Sequence, residues 1–342
     1  MSNTQVLFVK RPIGLFNPRE TFKIVKTPIP TREDLKNEEI LVKIRYLSLD
    51  PAMRPWMNDT RSYMKPLGIN DIMRGNAIGE VIISKNPQFK VGDIVLSAFG
   101  WQKYAVSNGK DVVKINPFPG VSISDYLGVL GLTGLTAYFG LFDSKVKAGE
   151  TVVVSGAAGA TGSVAGQLAK IKGATVIGIA GSKSKCDWIK NELGFDIALN
   201  YRDPDFVGQF QKATPNYIDV YFDNVGGEIL DLCLSRLAKN ARIAFCGAIS
   251  QYNEKKIKGI SNYPALISNT ARIEGFLIFD YQSRFPEAIR DISKWLKEGK
   301  IKRREYIING LENAPEGLLK LFKGENTGKF LVNVGDDVKA KL

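Results

Sequence analysis

The sequence predicts an α/β fold, a doubly wound parallel sheet joined to a smaller β-rich domain, a small barrel or sandwich. Three observations predict it. Short β-type runs separated by turn residues fill the amino-terminal third. From about residue 124, near-continuous apolar runs alternate with amphipathic stretches, the pattern of parallel strands covered on both faces by crossover helices. At the first of these alternations, "VVVSGAAGATGSVAGQLAK" (152–170) passes from valines through a cluster of glycines and alanines into a helix-like segment.

In the first domain the strand candidates are "EEILVKIRYLSL" (38–49), "GNAIGEVIIS" (75–84) and "VGDIVLSAFGWQKYAVS" (91–107). Gly92 supplies the tight reversal in "FKVGDIV", a place where positive φ is needed. The second domain reads "TVVVSG", "ATVIGIAG", "YIDVYFDN", "ARIAFCG" and "ARIEGFLIF" as strands. Between them, "SVAGQLAKIKG", "KSKCDWIKNELG" and "GEILDLCLSRLAKN" have helical apolar spacing. After about residue 309, "GLENAPEGLLKLFKGENTGKFLVNV" adds a helix and a closing strand, and pattern alone does not assign them to either domain.

Composition narrows the chemistry. The 342 residues, 44% apolar, suffice for two buried cores. No apolar run approaches the roughly 18 residues of a membrane helix, and "MSNTQVLFVKRP" lacks a secretory apolar segment, so a cytoplasmic location is expected. Three cysteines, Cys186, Cys233 and Cys246, form no disulfide pattern and fit a reducing compartment. Histidine is absent, which removes the usual neutral-pH general base and the commonest zinc ligand. The net charge of +12 favours anionic partners, but the 47 Lys and Arg are scattered and the one cluster, "KEGKIKRRE" (297–305), reads as a solvated helix end; nucleic-acid binding is not expected.

The turn after the valines matches G-x-G-x-x-G with Ala157 in the first position, Gly159 in the second and Gly162 in the third. Gly159 lets backbone amides approach a pyrophosphate, Gly162 lets the helix pack on the strand, and the helix amino terminus supplies partial positive charge. About 20 residues on, where an NAD site carries an acid for the ribose hydroxyls, this chain has Gly181, Ser182, Lys183 and Lys185. Lysine attracts a 2′-phosphate that a carboxylate would repel, so the residue types favour NADP(H).

The words "LSLDPAMRPWMND", "FGWQKYAV", "GLTGLTAYFG", "SGAAGATGSVAGQLAK", "LGFDIALNY", "YFDNVGG", "CGAISQYN" and "GENTGK" occur in order along nearly the whole chain. In these the sequence resembles the zinc-independent medium-chain dehydrogenases/reductases of the leukotriene 12-hydroxydehydrogenase, prostaglandin reductase and alkenal or curcumin double-bond reductase group. The resemblance implies a GroES-like barrel domain over 1–123, completed by about 310–342, and a Rossmann domain over 124–309. It implies NADPH-dependent reduction of the carbon–carbon double bond of α,β-unsaturated aldehydes and ketones, with no metal and with a homodimeric assembly.

Carried over word by word, the resemblance puts Gly159, Ala160, Thr161 and Gly162 at the pyrophosphate, and Lys185 and Tyr201 at the 2′-phosphate. It puts Asn224, the run Cys246, Gly247, Ala248, Ile249, Ser250 and Tyr252, then Phe276, Leu277, Ile278 and Asn326 around the rest of the nucleotide. Many members read "DPYMR" where this chain reads "DPAMR", so Ala52 replaces a tyrosine that could act on the substrate. Tyr63 of "RSYMKP" is the substitute expected to polarise the carbonyl or donate the proton, and Tyr252 is expected to clamp the substrate. Rival expectations are a quinone reductase of the same superfamily and, in a different class, a nucleotide-dependent RNA-binding protein.

Overall fold

Alternating side-chain burial along short strands builds the first part of the molecule. The structure is a computed structural model and describes residues 2–335. Strands β1 (Asn3–Phe8) and β2 (Phe22–Thr27) pair antiparallel. They are followed by β3 (Ile40–Ser48), β4 (Ala77–Ser84), β5 (Ile94–Ser97), β6 (Tyr104–Ser107) and β7 (Val113–Lys114). β3 pairs with β4 and β6, and its register with β4 slips twice, between Leu41 and Val42 and between Ile44 and Tyr46. Such irregularities bend a sheet toward closure. Val6, Phe8, Phe22, Ile40, Val42, Ile44, Val81 and Trp101 fill one core, where burying each large side chain contributes roughly 1.5–3 kcal/mol. Gly92 has φ +92, the conformation its turn requires.

The next strands are β8 (Thr151–Ser155), β9 (Thr175–Ala180), β10 (Ile197–Asn200), β11 (Ile218–Asp223), β12 (Leu237–Phe245) and β13 (Arg272–Gly275). They form one parallel sheet in the order β10-β9-β8-β11-β12-β13. Helices Ala160–Ile171, Lys183–Asn191, Phe206–Ala213 and Gly227–Leu234 connect successive strands. Val152, Val153, Val154, Val176 and Ile177 are wholly buried, which is why these strands read as continuous apolar runs. Strand order reverses between β8 and β11, and an open sheet of this kind takes ligands beyond the carboxyl ends of its strands at that point.

Two of the expected elements end elsewhere than the pattern sets them, and β1, β2, β10 and the helix Phe206–Ala213 are not among those the pattern singles out. The helix expected across "GEILDLCLSRLAKN" stops at Leu234, and Leu237 already pairs with Ile218 as the start of β12. A register shift follows, and Asn240 takes φ +63, a left-handed conformation that asparagine tolerates. The strand expected across "ARIEGFLIF" ends at Gly275, where its pairing with Phe245 ends, and a 3-10 helix runs from Ile278 to Arg284.

The chain then adds β14 (Glu305–Asn309), which the sequence pattern does not single out, the helix Ala314–Lys323 and β15 (Lys329–Asn333). These strands extend the first sheet, in the order β14-β15-β3-β4-β5-β7. Leu331 pairs with Ser48. Two compact units result: one runs to Leu127 and includes Glu305–Asn326 and the segment from Phe330, the other is Gly128–Arg304 with Thr327–Lys329. The sequence expectation sets the junctions at 123/124 and 309/310. Ile123, Tyr126 and Leu127 pack with Ile78 and Leu331 of the first unit, which accounts for the later first junction. Residues 336–342 of the expected carboxyl-terminal return lie outside the described residues. No helix among the described residues is long and apolar enough to cross a membrane.

Candidate functional site

The glycine turn lies at the carboxyl end of β8. Gly156 leaves the strand at φ +58, and Ala157, wholly buried, donates its N–H to Ile179 O at 3.0 Å, tying the turn to β9. Gly159 is the N-cap of the helix Ala160–Ile171 and brings no capping side chain. The amides of Ala160, Thr161 and Gly162 are thus first-turn donors without an intrahelical acceptor, half-buried or buried beside the positive end of the helix dipole. A Cβ on Gly162 would lie 2.4 Å from Gly156 O, so that glycine is what allows the helix to sit this close to the strand end. This donor set fits a pyrophosphate.

One buried carboxylate ties the surrounding turns together. Asp223 ends β11 with no exposed surface, and its Oδ1 accepts from Ser155 Oγ (2.9 Å), Tyr221 OH (2.7 Å), Val225 N (2.9 Å) and Gly226 N (2.9 Å). Its backbone oxygen accepts from the amides of Cys246 and Gly247 at 2.9 and 3.0 Å. Oδ2 has no hydrogen-bond partner, and burial raises the pKa of the carboxyl. Asn224 donates its side-chain amide to Ser155 O at 2.7 Å and its N–H to Ser155 Oγ at 3.0 Å. The turns after β8, β11 and β12 are therefore cross-linked at the reversal point of the sheet. The words "YFDNVGG" and "SG" carry Ser155 and Asp223, but their linking role depends on two strands distant in sequence meeting side by side.

At the end of β9, Ser182 caps the helix Lys183–Asn191 by accepting from Lys185 N at 3.3 Å. Lys183 is neutralised by Asp187 at 2.7 Å and is largely exposed. Lys185 is half-buried, and desolvation together with the nearby charge of Arg202 lowers its pKa. The Tyr201 ring lies against Gly181, where a Cβ would come within 2.9 Å of it. This corner has no acid in the place where an NAD site carries one.

A cavity of about 470 Å³ opens beside the ends of β12 and β13, lined by Phe245, Cys246, Gly247, Ala248, Tyr252, Gly275, Phe276, Leu277 and Asp280. Its size suits a small organic ligand or part of a cofactor. Six of the expected residues thus share one wall, and Phe245, Gly275 and Asp280, which are not among those expected, complete it. The lining does not include Ile249, Ser250 or Ile278; Ser250 Oγ donates to Val225 O at 2.6 Å instead. Tyr252 folds back so that its hydroxyl oxygen accepts from Ala248 N at 3.2 Å. Burial, with Asp223 nearby, pushes the Cys246 thiol up to about 12, while Cys186 and Cys233 are also raised, chiefly by burial. Cys246 therefore contributes lining and backbone rather than a thiolate.

Tyr63 and Asn326 belong to the other unit. Asn326 is buried and directly precedes Thr327–Lys329, in which Gly328 N donates to Ala158 O at 2.8 Å. Tyr63 is 44% exposed, and its hydroxyl oxygen accepts from Trp56 Nε1 at 2.8 Å. Burial raises its pKa, the Trp56 hydrogen bond opposes that rise, and Asp50 and Arg74 act in opposite senses. Ala52 starts the short helix Met53–Trp56. In that helix Arg54 is buried and spends its guanidinium on Gly14 O (2.9 Å) and Asn58 Oδ1 (2.7 Å), so it is structural.

Two family models match the chain: the N-terminal domain of oxidoreductase over residues 4–115 and the zinc-binding dehydrogenase over residues 160–294. The second description does not extend to the ligands, since histidine is absent and all three cysteines lie in the second unit. The NADPH-dependent curcumin reductase of Escherichia coli (strain K12) is 41% identical, with 98% of each chain covered. The 2-alkenal reductase (NADP(+)-dependent) of Nicotiana tabacum is 38% identical, again over 98% of each. Among solved structures, CurA in complex with NADPH from Vibrio vulnificus superposes with a TM-score of 0.92 at 40% identity, covering 98% of this chain and 100% of the other.

Proposed function

The chain belongs to the zinc-independent reductases of the medium-chain dehydrogenase/reductase family, and from that premise we propose that it is an NADPH-dependent reductase of α,β-unsaturated aldehydes and ketones. The observation that carries this reading is the pairing of a pyrophosphate turn with a cationic corner at the end of β9 that has no acid in the place where an NAD site carries one. Bound NADPH supplies the hydride, delivered to the substrate β-carbon.

The protein's own groups supply binding and polarisation. The amides of Ala160, Thr161 and Gly162 hold the pyrophosphate, with Gly159, whose own N–H donates to Gly156 O at 2.9 Å, letting it approach the backbone; Lys185 with Tyr201 holds the 2′-phosphate. Asn224, the run Cys246 to Ser250 with Tyr252, Phe276 to Ile278 and Asn326 surround the remainder. Tyr63 donates its phenolic hydrogen bond to the substrate oxygen, where charge accumulates as the double bond is attacked, and so lowers the barrier. Tyr252 clamps the substrate. The α-carbon receives its proton from Tyr63 or water.

The working assembly is a homodimer in the cytoplasm. The uncovered edge of β13 and the exposed side chains of Ile267, Leu277 and Phe279 support the first statement, and the three unpaired thiols support the second. One experiment tests the reading: oxidation of NADPH and of NADH by purified protein is followed across alkenals, cyclic enones, curcumin-like diketones and quinones. Turnover of enones with NADPH at least about tenfold more efficient than with NADH, a difference of about 1.4 kcal/mol, is expected. Turnover of quinones alone would replace it with the quinone reductase reading. Light scattering on the same preparation is expected to give twice the 37.7 kDa chain mass, and a monomer would remove the dimer.

A further inference from the structure

We propose that Arg202 is a specificity-determining residue that completes, with Lys185, the grip on the 2′-phosphate of NADPH; the inference rests on the cofactor reading above. Arg202 follows Tyr201 on the segment leaving β10, and that segment is pinned from both sides. Tyr201 N donates to Ala180 O at 3.0 Å, and Arg202 N donates to Asn200 Oδ1 at 3.1 Å. The Arg202 guanidinium stands 5.6 Å from the centre of the Tyr201 ring, whose other neighbour is Gly181 at the start of the capped helix. An exposed arginine held over an aromatic ring is oriented at little further entropic cost.

The charge arrangement points to a dianion. Lys183 is taken by Asp187, whereas Arg202 makes no ion pair with any described residue, and Asp203, its neighbour, accepts from Asp205 N instead. Arg202 is close enough to Lys185 for its charge to disfavour the lysine's protonated form. Two cations brought together repel each other, and an anion seated at both relieves that repulsion. A phosphate monoester carries about −1.5 to −2 at neutral pH. The planar guanidinium offers it two parallel donors, and the ammonium offers a point charge. Sequence reading stops at Lys185 and Tyr201 because nothing in the spacing of residues 185 and 202 shows that β9 and β10 bring them to one corner.

Calorimetric titration with 2′,5′-ADP and with 5′-ADP isolates this corner from the rest of the cofactor. The unsubstituted protein is expected to prefer 2′,5′-ADP by tenfold or more. Arg202→Ala should bind 2′,5′-ADP about tenfold more weakly, the scale of one charged hydrogen bond, with 5′-ADP affinity and melting temperature unchanged. Arg202→Lys should recover part of the loss. Equal binding of the two nucleotides by the unsubstituted protein would overturn the NADPH reading and this proposal with it. A preference that survives in Arg202→Ala but vanishes in Lys185→Ala would overturn the proposal alone. Equal weakening toward both nucleotides would also overturn it, marking Arg202 as an adenine or structural contact.

Discussion

Tyr63 shows how a single residue's role depends on its neighbour. A phenol whose oxygen accepts from the Trp56 indole is fixed in direction, and the role proposed for Tyr63 is that of a hydrogen-bond donor to the substrate oxygen. Tyr63→Phe removes that donor and should lower kcat for enone reduction by about 10²-fold, the scale of one lost transition-state hydrogen bond, with the KM for NADPH little changed. Steady-state kinetics on one alkenal checks this, and an unaltered kcat would leave water and the cofactor hydroxyl to do the polarising. Tyr63 is visible in the sequence only through resemblance, because a tyrosine in a loop carries no periodicity. Its indole partner seven residues earlier is not legible at all. Lys185 was legible from residue type and spacing, while Asp223 was not, since a buried acid whose bonds come from four different residues leaves no local pattern.

The strand, turn and helix from Thr151 to Ile171 form the element on which the cofactor reading turns, and its glycines have distinct duties. Gly156 adopts the left-handed backbone, one residue before the position that the motif alignment assigns to Ala157. Gly162 instead answers a steric demand, the Gly156 carbonyl 2.4 Å from where its Cβ would be. Gly162→Ala must push the helix off the strand end, which should cost roughly 1–3 kcal/mol of stability and weaken NADPH binding. Urea unfolding and a nucleotide titration measure the two effects. Unchanged affinity in a folded variant would separate the turn from the phosphate. This element was read correctly because strand, glycines and helix are contiguous. The overrun at "GEILDLCLSRLAKN" has the opposite origin: the pairing of Leu237 with Ile218 overrides local helical spacing.

At the scale of the whole molecule, the alternation of apolar strands and helices made the nucleotide-binding sheet legible, because parallel strands need crossovers and crossovers impose a period. The return of the chain to the first sheet was not legible from pattern. β15 joins it by pairing with β3, hundreds of residues earlier, as Leu331 does with Ser48, and β14 joins by pairing with β15. Resemblance supplied that expectation where periodicity could not. The substrates proposed for the chain are Michael acceptors, reagents that alkylate imidazoles and thiolates. The chain contains no imidazole, and burial raises the pKa of all three thiols, Cys246 even at the wall of the cavity, which disfavours the nucleophilic thiolate. The enzyme is thereby built to survive its own diet. Intact-mass spectrometry after exposure to a short enal without NADPH should find the cysteines of the folded protein unmodified and those of the urea-unfolded protein alkylated, and rapid adduct formation at native Cys246 would refute this self-tolerance.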